Sequence, residues 1–296
     1  MFDRSGKWAP MRLIPPPSTR FPGAVAVLFL ALGSTLPAQD AYQSPYKINF
    51  SFPQEELIGD QLKGPRADWK DHATVAYREW YAPANQKQWG YWGPGLKHFN
   101  APSGLGSKTP QWMRERVIAT GLRYVGFSYQ HHHLPEWDPP AEWPRAPLQK
   151  TPVGKGLDCS NFTTFVYNLA LGIKPTSDVQ DQAAMAEAPG PGRGRTTVVR
   201  RIELPASYEL FPGQLLPGDL LFVKNTSGNI SHVVLWVGKI GQSPDGTPLI
   251  LDSTGTGASD SSGQKIPDGI HLRPFRPNTW YFTQASHVLR LIPEDK

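Results

Sequence analysis

The apolar positions of the chain change their period between its middle and its end. Between residues 109 and 127 they recur at helical spacing, and Thr109 followed by Pro110 is typical of a helix start. A second helix is predicted after Asp158, and Gly172 marks its end. Its apolar face consists of Phe162, Phe165, Val166, Leu169 and Ala170. A third, short helix is predicted within residues 177–188.

From residue 219 onwards, short runs of strand-forming residues separated by turn residues replace the helical pattern. The predicted strands are 219–224, 230–240, 247–254, 269–275 and 286–292. The preceding segment 189–205 is expected to be a basic loop or hairpin. Helices followed by an antiparallel sheet indicate an α+β fold.

The first residues have the pattern of a leader. Basic residues precede an apolar run at 23–33, and the small residue Ala38 follows. This order is typical of a secretory signal peptide, here 1–38, so the mature chain is expected to begin near Gln39. The apolar run is shorter than the ~20 residues of a bilayer-spanning helix. We therefore expect an exported protein, periplasmic or secreted, without a stable membrane anchor; a retained anchor is the alternative.

Composition refines the domain organisation. With 31 Pro, 28 Gly and 10 Trp, the chain favours a loop-rich globular protein over a bundle of long helices. Residues 39–108 form a Trp/Pro-rich extension that either wraps over the main domain, 109–296, or binds polymer by aromatic stacking. The net charge of +5 suits an anionic partner such as a cell-wall polymer, although ordinary solvated charge explains it equally well. The same two alternatives, contact with an anionic wall polymer or an ordinary solvated loop, apply to the arginines at 193, 195, 200 and 201.

Cys159 is the single cysteine of the chain, so it has no partner for an intramolecular disulfide. In an exported protein such a residue is either an intermolecular partner or a functional thiol. Cys159 stands at a predicted helix N-terminus, where the helix dipole favours a thiolate, and Asp158 or Ser160 could cap that end. A buried structural cysteine is the alternative that the segment alone leaves open.

A nucleophilic thiol needs a base, and the base needs an orienting partner. His232 lies near the start of an otherwise apolar strand, and Asp252 lies near the end of the next one. If these strands pair in antiparallel fashion, Asp252 comes alongside His232 and accepts its N–H. The residues thus allow a Cys-His-Asp site.

Four segments in order carry a family resemblance: GLDCSNFTTFVYNLALGI, LLPGDLLFVKN, SHVVLWVG and LILDSTG. Across roughly residues 109–292, the chain resembles the NlpC-type cysteine peptidases, which are papain-related bacterial cell-wall hydrolases. The resemblance implies a papain-like fold, in which the helix that bears Cys159 packs on a five- to six-stranded antiparallel sheet. It also implies that Cys159 attacks an amide carbonyl with His232 as base. Tyr124, Asp158 and Ser160 would contact the substrate.

The chain departs from the family pattern at two positions. Asp252 stands where a histidine is usual, and His271 on the following strand is its rival as third catalytic residue. Asn161 replaces the usual glycine after Asp-Cys-Ser. The consecutive histidines His131–His133 are expected to form a polar pocket rim rather than a metal site, because three adjacent residues do not converge on one ion.

The resulting functional hypothesis is an exported cysteine hydrolase that cleaves an amide bond in peptidoglycan stem peptides, by analogy the γ-D-glutamyl–diamino acid bond. No cofactor, no metal and no nucleic acid are expected to take part. The alternatives are an envelope amidase or acyltransferase of the same fold, and a non-catalytic wall-binding module.

Overall fold

The computed structural model describes residues 42–144, 154–192, 194–255 and 257–294; the predicted leader and Arg193 lie outside these ranges. The α-helices in the described ranges are α1 Gln54–Leu62, α2 Pro83–Trp89, α3 Pro110–Leu122, α4 Cys159–Leu171, α5 Val179–Ala184, α6 Phe211–Gln214 and α7 Trp280–Thr283. The strands in the same ranges are β1 Lys47–Ile48, β2 Glu187–Pro189, β3 Thr196–Val198, β4 Arg200–Ile202, β5 Leu220–Lys224, β6 Ile230–Trp236, β7 Gly241–Gln242, β8 Leu249–Thr254, β9 Gly269–Pro274 and β10 Ala285–Arg290.

The central element is a six-stranded antiparallel sheet with the order β4-β10-β5-β6-β8-β9. All five predicted strands are present in it, which confirms a mixed helix-and-sheet fold of the expected strand number. The sixth strand, β4, comes from the segment predicted as a basic loop or hairpin. In that segment β3 pairs with β2, whose first two residues lie at the end of the stretch predicted as the third helix. Arg200 and Arg201 there pair with Glu294 and Glu203 at the exposed surface.

The two faces of the sheet carry two separate apolar cores because side chains alternate along each strand. Val233, Leu235 and Leu251 belong to the core shared with α3 and α4. Val234, Trp236 and Ile250 belong to the core that also contains residues of α6 and α7. His232 and Asp252 fall, by the same alternation, on the second face.

Side-chain capping and backbone geometry fix both ends of α4. Asp158 accepts a hydrogen bond from the backbone N–H of Asn161, so the helix begins at Cys159. It ends at Gly172, which has a φ of 71°. A side chain at Gly172 would also meet the carbonyl oxygen of Phe99 at 2.7 Å, so this position requires glycine on both grounds.

The described part of the N-terminal segment, residues 42–108, packs on the helices. Arg66 donates to the carbonyl of Leu169 in α4 at 3.1 Å, and the His72 ring lies against Phe99 and Phe165. Its buried apolar residues belong to the same core as those of α3 and α4. No helix in the described ranges has the length and apolar character needed to cross a bilayer.

A short extended segment after α3 runs beside the residues that precede Cys159. Ser128 donates to the carbonyl of Lys155 at 3.0 Å and accepts from the N–H of Leu157 at 3.2 Å. A Cβ atom on Gly156 would lie 2.0 Å from the carbonyl oxygen of Ser128, so only glycine permits this approach. The pairing brings the next residue, Tyr129, to the front of the candidate site.

Candidate active site

Cys159 is the first residue of α4 and is 4% exposed. The free N–H groups and the positive end of the helix dipole lie at this position, and both favour negative charge. The sulfur of Cys159 therefore lies at the positive end of α4.

His232 lies between Cys159 and Asp252 and forms hydrogen bonds with both. Its Nε2 lies 2.9 Å from Oδ2 of Asp252, which leaves Nδ1 for the sulfur. Burial favours the neutral ring, but the charge of Cys159 and the hydrogen bonds with Asp252 and Cys159 outweigh it and raise the pKa of His232 to about 10. A buried imidazole held between two acidic groups is favoured in its protonated form.

Asp252 is fully buried and accepts three hydrogen bonds. Besides His232, the hydroxyl of Tyr281 donates to Oδ2 at 2.8 Å, and Nε of Arg273 donates to Oδ1 at 2.8 Å. Burial would raise the pKa of Asp252, but the bond from His232 and the charge of Arg273 lower it on balance. The carboxylate is thus held ionised and in one orientation.

The rival third residue, His271, lies beside Asp252 but packs against a different ring. It is the direct neighbour of Asp252 in the β8–β9 register, but its ring packs edge-on against Tyr42, with the centroids 5.8 Å apart. Burial lowers the pKa of His271 to about 4. Asp252 is therefore the acidic partner that lies against His232, while His271 is a neutral ring on the same sheet face.

Tyr124, which the resemblance placed at the substrate pocket, lies in the core. Its ring packs edge-on against Phe127 and Phe165, at 5.6 and 5.1 Å between centroids. Tyr129 is the tyrosine near Cys159: burial raises the pKa of Tyr129, and the charges of Cys159, Asp158 and Asp252 act in the same direction. The family resemblance pointed to Tyr124, whereas the position of Tyr129 depends on the backbone pairing between Ser128 and Gly156.

Asp158 and Ser160 flank Cys159 and are both buried. Besides the backbone bond that caps α4, Asp158 accepts from the side chain of Asn161 at 3.0 Å and contacts Nδ1 of His131 at 3.0 Å. The hydroxyl of Ser160 donates to the carbonyl of Ser177 at 2.6 Å. Asn161, which replaces the family's glycine, therefore helps to hold the Asp158 carboxylate in place.

The three consecutive histidines point in different directions. His131 contacts Asp158, His132 is fully buried, and His133 lies against the carbonyl of Gly93 and stacks on Trp92. In the described ranges, no group of three or more His, Cys, Asp or Glu side chains is arranged to hold a metal ion.

The titration of His232 gives a direct test of its contact with the thiol. In the wild type, NMR is expected to find the ring protonated up to about pH 10. In Cys159→Ala the strongest upward influence is gone while burial remains, so the midpoint should fall. His271, whose low pKa is set by burial and neighbouring charges other than Cys159, serves as the control. An unchanged midpoint for His232 in the variant would contradict the pairing.

Comparison with known proteins agrees with the family resemblance. Residues 148–261 match the sequence model of the NlpC/P60 family, which confirms the resemblance. No curated protein matches the chain.

Several solved structures are similar to part of the chain. An NlpC/P60 family protein from Bacillus cereus ATCC 10987 is 18% identical, with 61% of this chain and 40% of that chain covered and a TM-score of 0.36. NlpC1 from Trichomonas vaginalis is 14% identical, with 61% and 45% covered and a TM-score of 0.35. The NlpC/p60 domain of the peptidoglycan hydrolase SagA is 16% identical, with 60% and 97% covered and a TM-score of 0.32. The chain thus spans less than half the length of the first two.

Proposed function

Because residues 148–261 match the NlpC/P60 family, we propose that the protein is an exported cysteine hydrolase that cleaves an amide bond in peptidoglycan stem peptides. The observation that carries this proposal is the position of His232 between Cys159 and Asp252 at the start of α4. The proposal includes the papain-like arrangement of helix and sheet. By analogy, the bond is the γ-D-glutamyl–diamino acid bond.

The proposed reaction uses these three side chains in two steps. The thiolate of Cys159 forms a bond to the carbonyl carbon, the C–N bond breaks, and the imidazolium of His232 gives its proton to the leaving amine. Water then attacks the thioester while neutral His232 takes its proton, the C–S bond breaks, and the free carboxylic acid leaves. Asp252 stays ionised and holds the ring in the orientation that both steps need.

We propose that the front of the substrate pocket is formed by Tyr129, Asp158 and Ser160, with the segment 127–143 as one wall. Tyr129 takes the place that the resemblance gave to Tyr124. Trp92, from the N-terminal segment, packs against His131 at 5.4 Å between ring centroids, and it therefore belongs to the same wall. This arrangement gives the N-terminal segment a part in shaping the substrate pocket.

Murein digestion is the primary test of the proposed function. Purified murein is incubated with the mature protein, and mass spectrometry identifies the released fragments and hence the cleaved bond. N-terminal sequencing of the exported protein tests the leader, with a start near Gln39 expected and a start before residue 30 excluding cleavage. Release of no peptide fragment by a protein whose thiol reacts normally would argue against murein as the substrate.

We predict that Asp158 gives the enzyme a preference for peptides with a free amino terminus. An ammonium group would pair with Oδ2, the oxygen that His131 contacts. The ratio of kcat/KM for free and N-acetylated versions of one peptide should fall roughly tenfold or more in Asp158→Asn, the value of a charge-assisted hydrogen bond. It should rise in His131→Ala because a competitor for the carboxylate is removed.

Asparagine is itself a good helix cap, so Asp158→Asn is expected to fold. An unchanged ratio in that variant would leave Asp158 with only its capping role, which is observed in the structure.

A further inference from the structure

Four ionisable side chains meet in the candidate site. Cys159, His232, Asp252 and Arg273 are 4%, 4%, 0% and 0% exposed. In the form that attacks a carbonyl, the first three are a thiolate, an imidazolium and a carboxylate, which together carry one net negative charge. A buried net charge is costly unless an opposite charge is paired with it.

Arg273 supplies such a charge from the neighbouring strand β9. Its Nε donates to Oδ1 of Asp252 at 2.8 Å, on the opposite oxygen from His232. Its Nη2 donates to the carbonyls of Pro267 at 2.8 Å and Gly269 at 3.1 Å, and these two bonds fix the guanidinium against the carboxylate. With Arg273 included, the four charges of the site sum to zero.

We propose that Arg273 is a positioning residue whose charge balances the catalytic set and keeps Cys159 and His232 in their ion-pair form. It acts through Asp252 and touches neither the reacting atoms nor the substrate. The inference rests on the proposed cysteine mechanism, but it does not depend on which amide is cleaved.

The consequence of losing Arg273 depends on the residue at position 252. Without Arg273, the buried set carries a net negative charge, and the uptake of one proton by the thiolate or by Asp252 relieves it. Protonation of either group removes the ion-pair form that attacks a carbonyl. If position 252 is a neutral asparagine, the thiolate and the imidazolium already balance each other, and the charge of Arg273 is no longer required.

The titratable groups around Asp252 come from every element packed against it. They are His232 on β6, His271 and Arg273 on β9, Tyr281 on α7, Tyr129 on the segment after α3, and Cys159 on α4. Among these groups, Arg273 alone keeps its positive charge through the proposed reaction, because His232 gives up its proton and takes another.

The alkylation of Cys159 by iodoacetamide at pH 6.5 tests this proposal. Cys159 is the only cysteine of the chain, so the rate reports this thiol directly and needs no natural substrate. A wrong assignment of murein as substrate therefore leaves the measurement intact. We expect Arg273→Gln to react on the order of tenfold more slowly, which corresponds to an ion pair that is present in only about a tenth of the variant molecules at this pH. Arg273→Lys keeps the charge and should recover most of the rate.

A double-mutant cycle separates charge balance from a purely structural role. In an Asp252→Asn background, Arg273→Gln should change the alkylation rate less than about twofold. If the effects of the two substitutions were additive, Arg273→Gln would slow alkylation about tenfold in this background too. Arg290→Gln is the matched control because Arg290 is also buried in the sheet and donates to Asp219 at 2.7 Å, away from Cys159. It should lower thermal stability and leave the alkylation rate unchanged.

The outcomes that overturn the proposal are specific. Equal slowing in both backgrounds, or Arg273→Lys as slow as Arg273→Gln, would mean that Arg273 only holds the backbone at Pro267 and Gly269. If Arg273→Gln fails to fold while its combination with Asp252→Asn folds and reacts, charge balance is supported. If neither folds, the structural role is sufficient and the proposal fails.

Discussion

Cys159→Ala is expected to abolish hydrolysis while the fold survives. In the proposed mechanism the thiolate of Cys159 forms the covalent bond to the substrate, and the chain has no other cysteine to replace it. Loss of the nucleophile should lower kcat on the order of 10⁶-fold, as nucleophile deletion does in a serine peptidase that also acts through a covalent intermediate. Because α4 is capped by Asp158 and not by Cys159, the helix start should remain.

Two measurements complete this test. Thermal unfolding of Cys159→Ala should resemble the wild type, since only one sulfur atom is removed from the start of α4. Cys159→Ser should be almost as inactive, because a hydroxyl is a poorer nucleophile with the same base. A Cys159→Ala protein that released murein peptides at the normal rate would exclude the cysteine mechanism, whatever the fold.

Much of the fold was predictable because it depends on local patterns. The strand-rich runs after residue 219 bury alternate side chains on two cores, and the periodicity of the sequence already carries that information. The start of α4 was also predictable, since Asp158 is a strong N-cap residue and Gly172 a typical helix end. Strand β4 was not predicted as part of the sheet because its three residues are mostly exposed and have no apolar period.

The candidate site was only partly predictable, because its remaining contacts join distant segments. The approach of Asp252 to His232 follows from antiparallel pairing of neighbouring strands, which the sequence suggests. Tyr129 reaches the site because its neighbour Ser128 pairs with Gly156, and no periodicity reveals that pairing. The sequence did contain a signal for Arg273. In the predicted strand 269–275, Arg273 and His271 are two residues apart and therefore lie on the same face of the sheet. A buried arginine on a sheet face needs a partner for its charge.

Asp252→Ala is expected to lower kcat by 10- to 10⁴-fold, roughly the range for loss of an orienting or acid–base group. Alanine leaves three buried donors without their acceptor: Nε2 of His232, the Tyr281 hydroxyl and Nε of Arg273. The ring of His232 is then free to turn, and the imidazolium loses the charge that stabilises it. Because Arg273 also loses its ion-pair partner, the variant should lose about 3–5 kcal/mol of folding free energy.

Asp252→Asn should retain more activity than Asp252→Ala and far more than Cys159→Ala. The amide oxygen can take the place of Oδ2 and accept from His232 and Tyr281, while the amide N–H₂ group faces the donor Nε of Arg273 unfavourably. Asp219→Ala provides the control for stability, because Asp219 forms a buried ion pair with Arg290 in the same sheet. It should unfold more easily, yet keep near wild-type kcat in its folded fraction. If Asp252→Ala behaves like Asp219→Ala, with lower stability and unchanged kcat, then Asp252 does not orient His232, and the third catalytic role belongs to another residue.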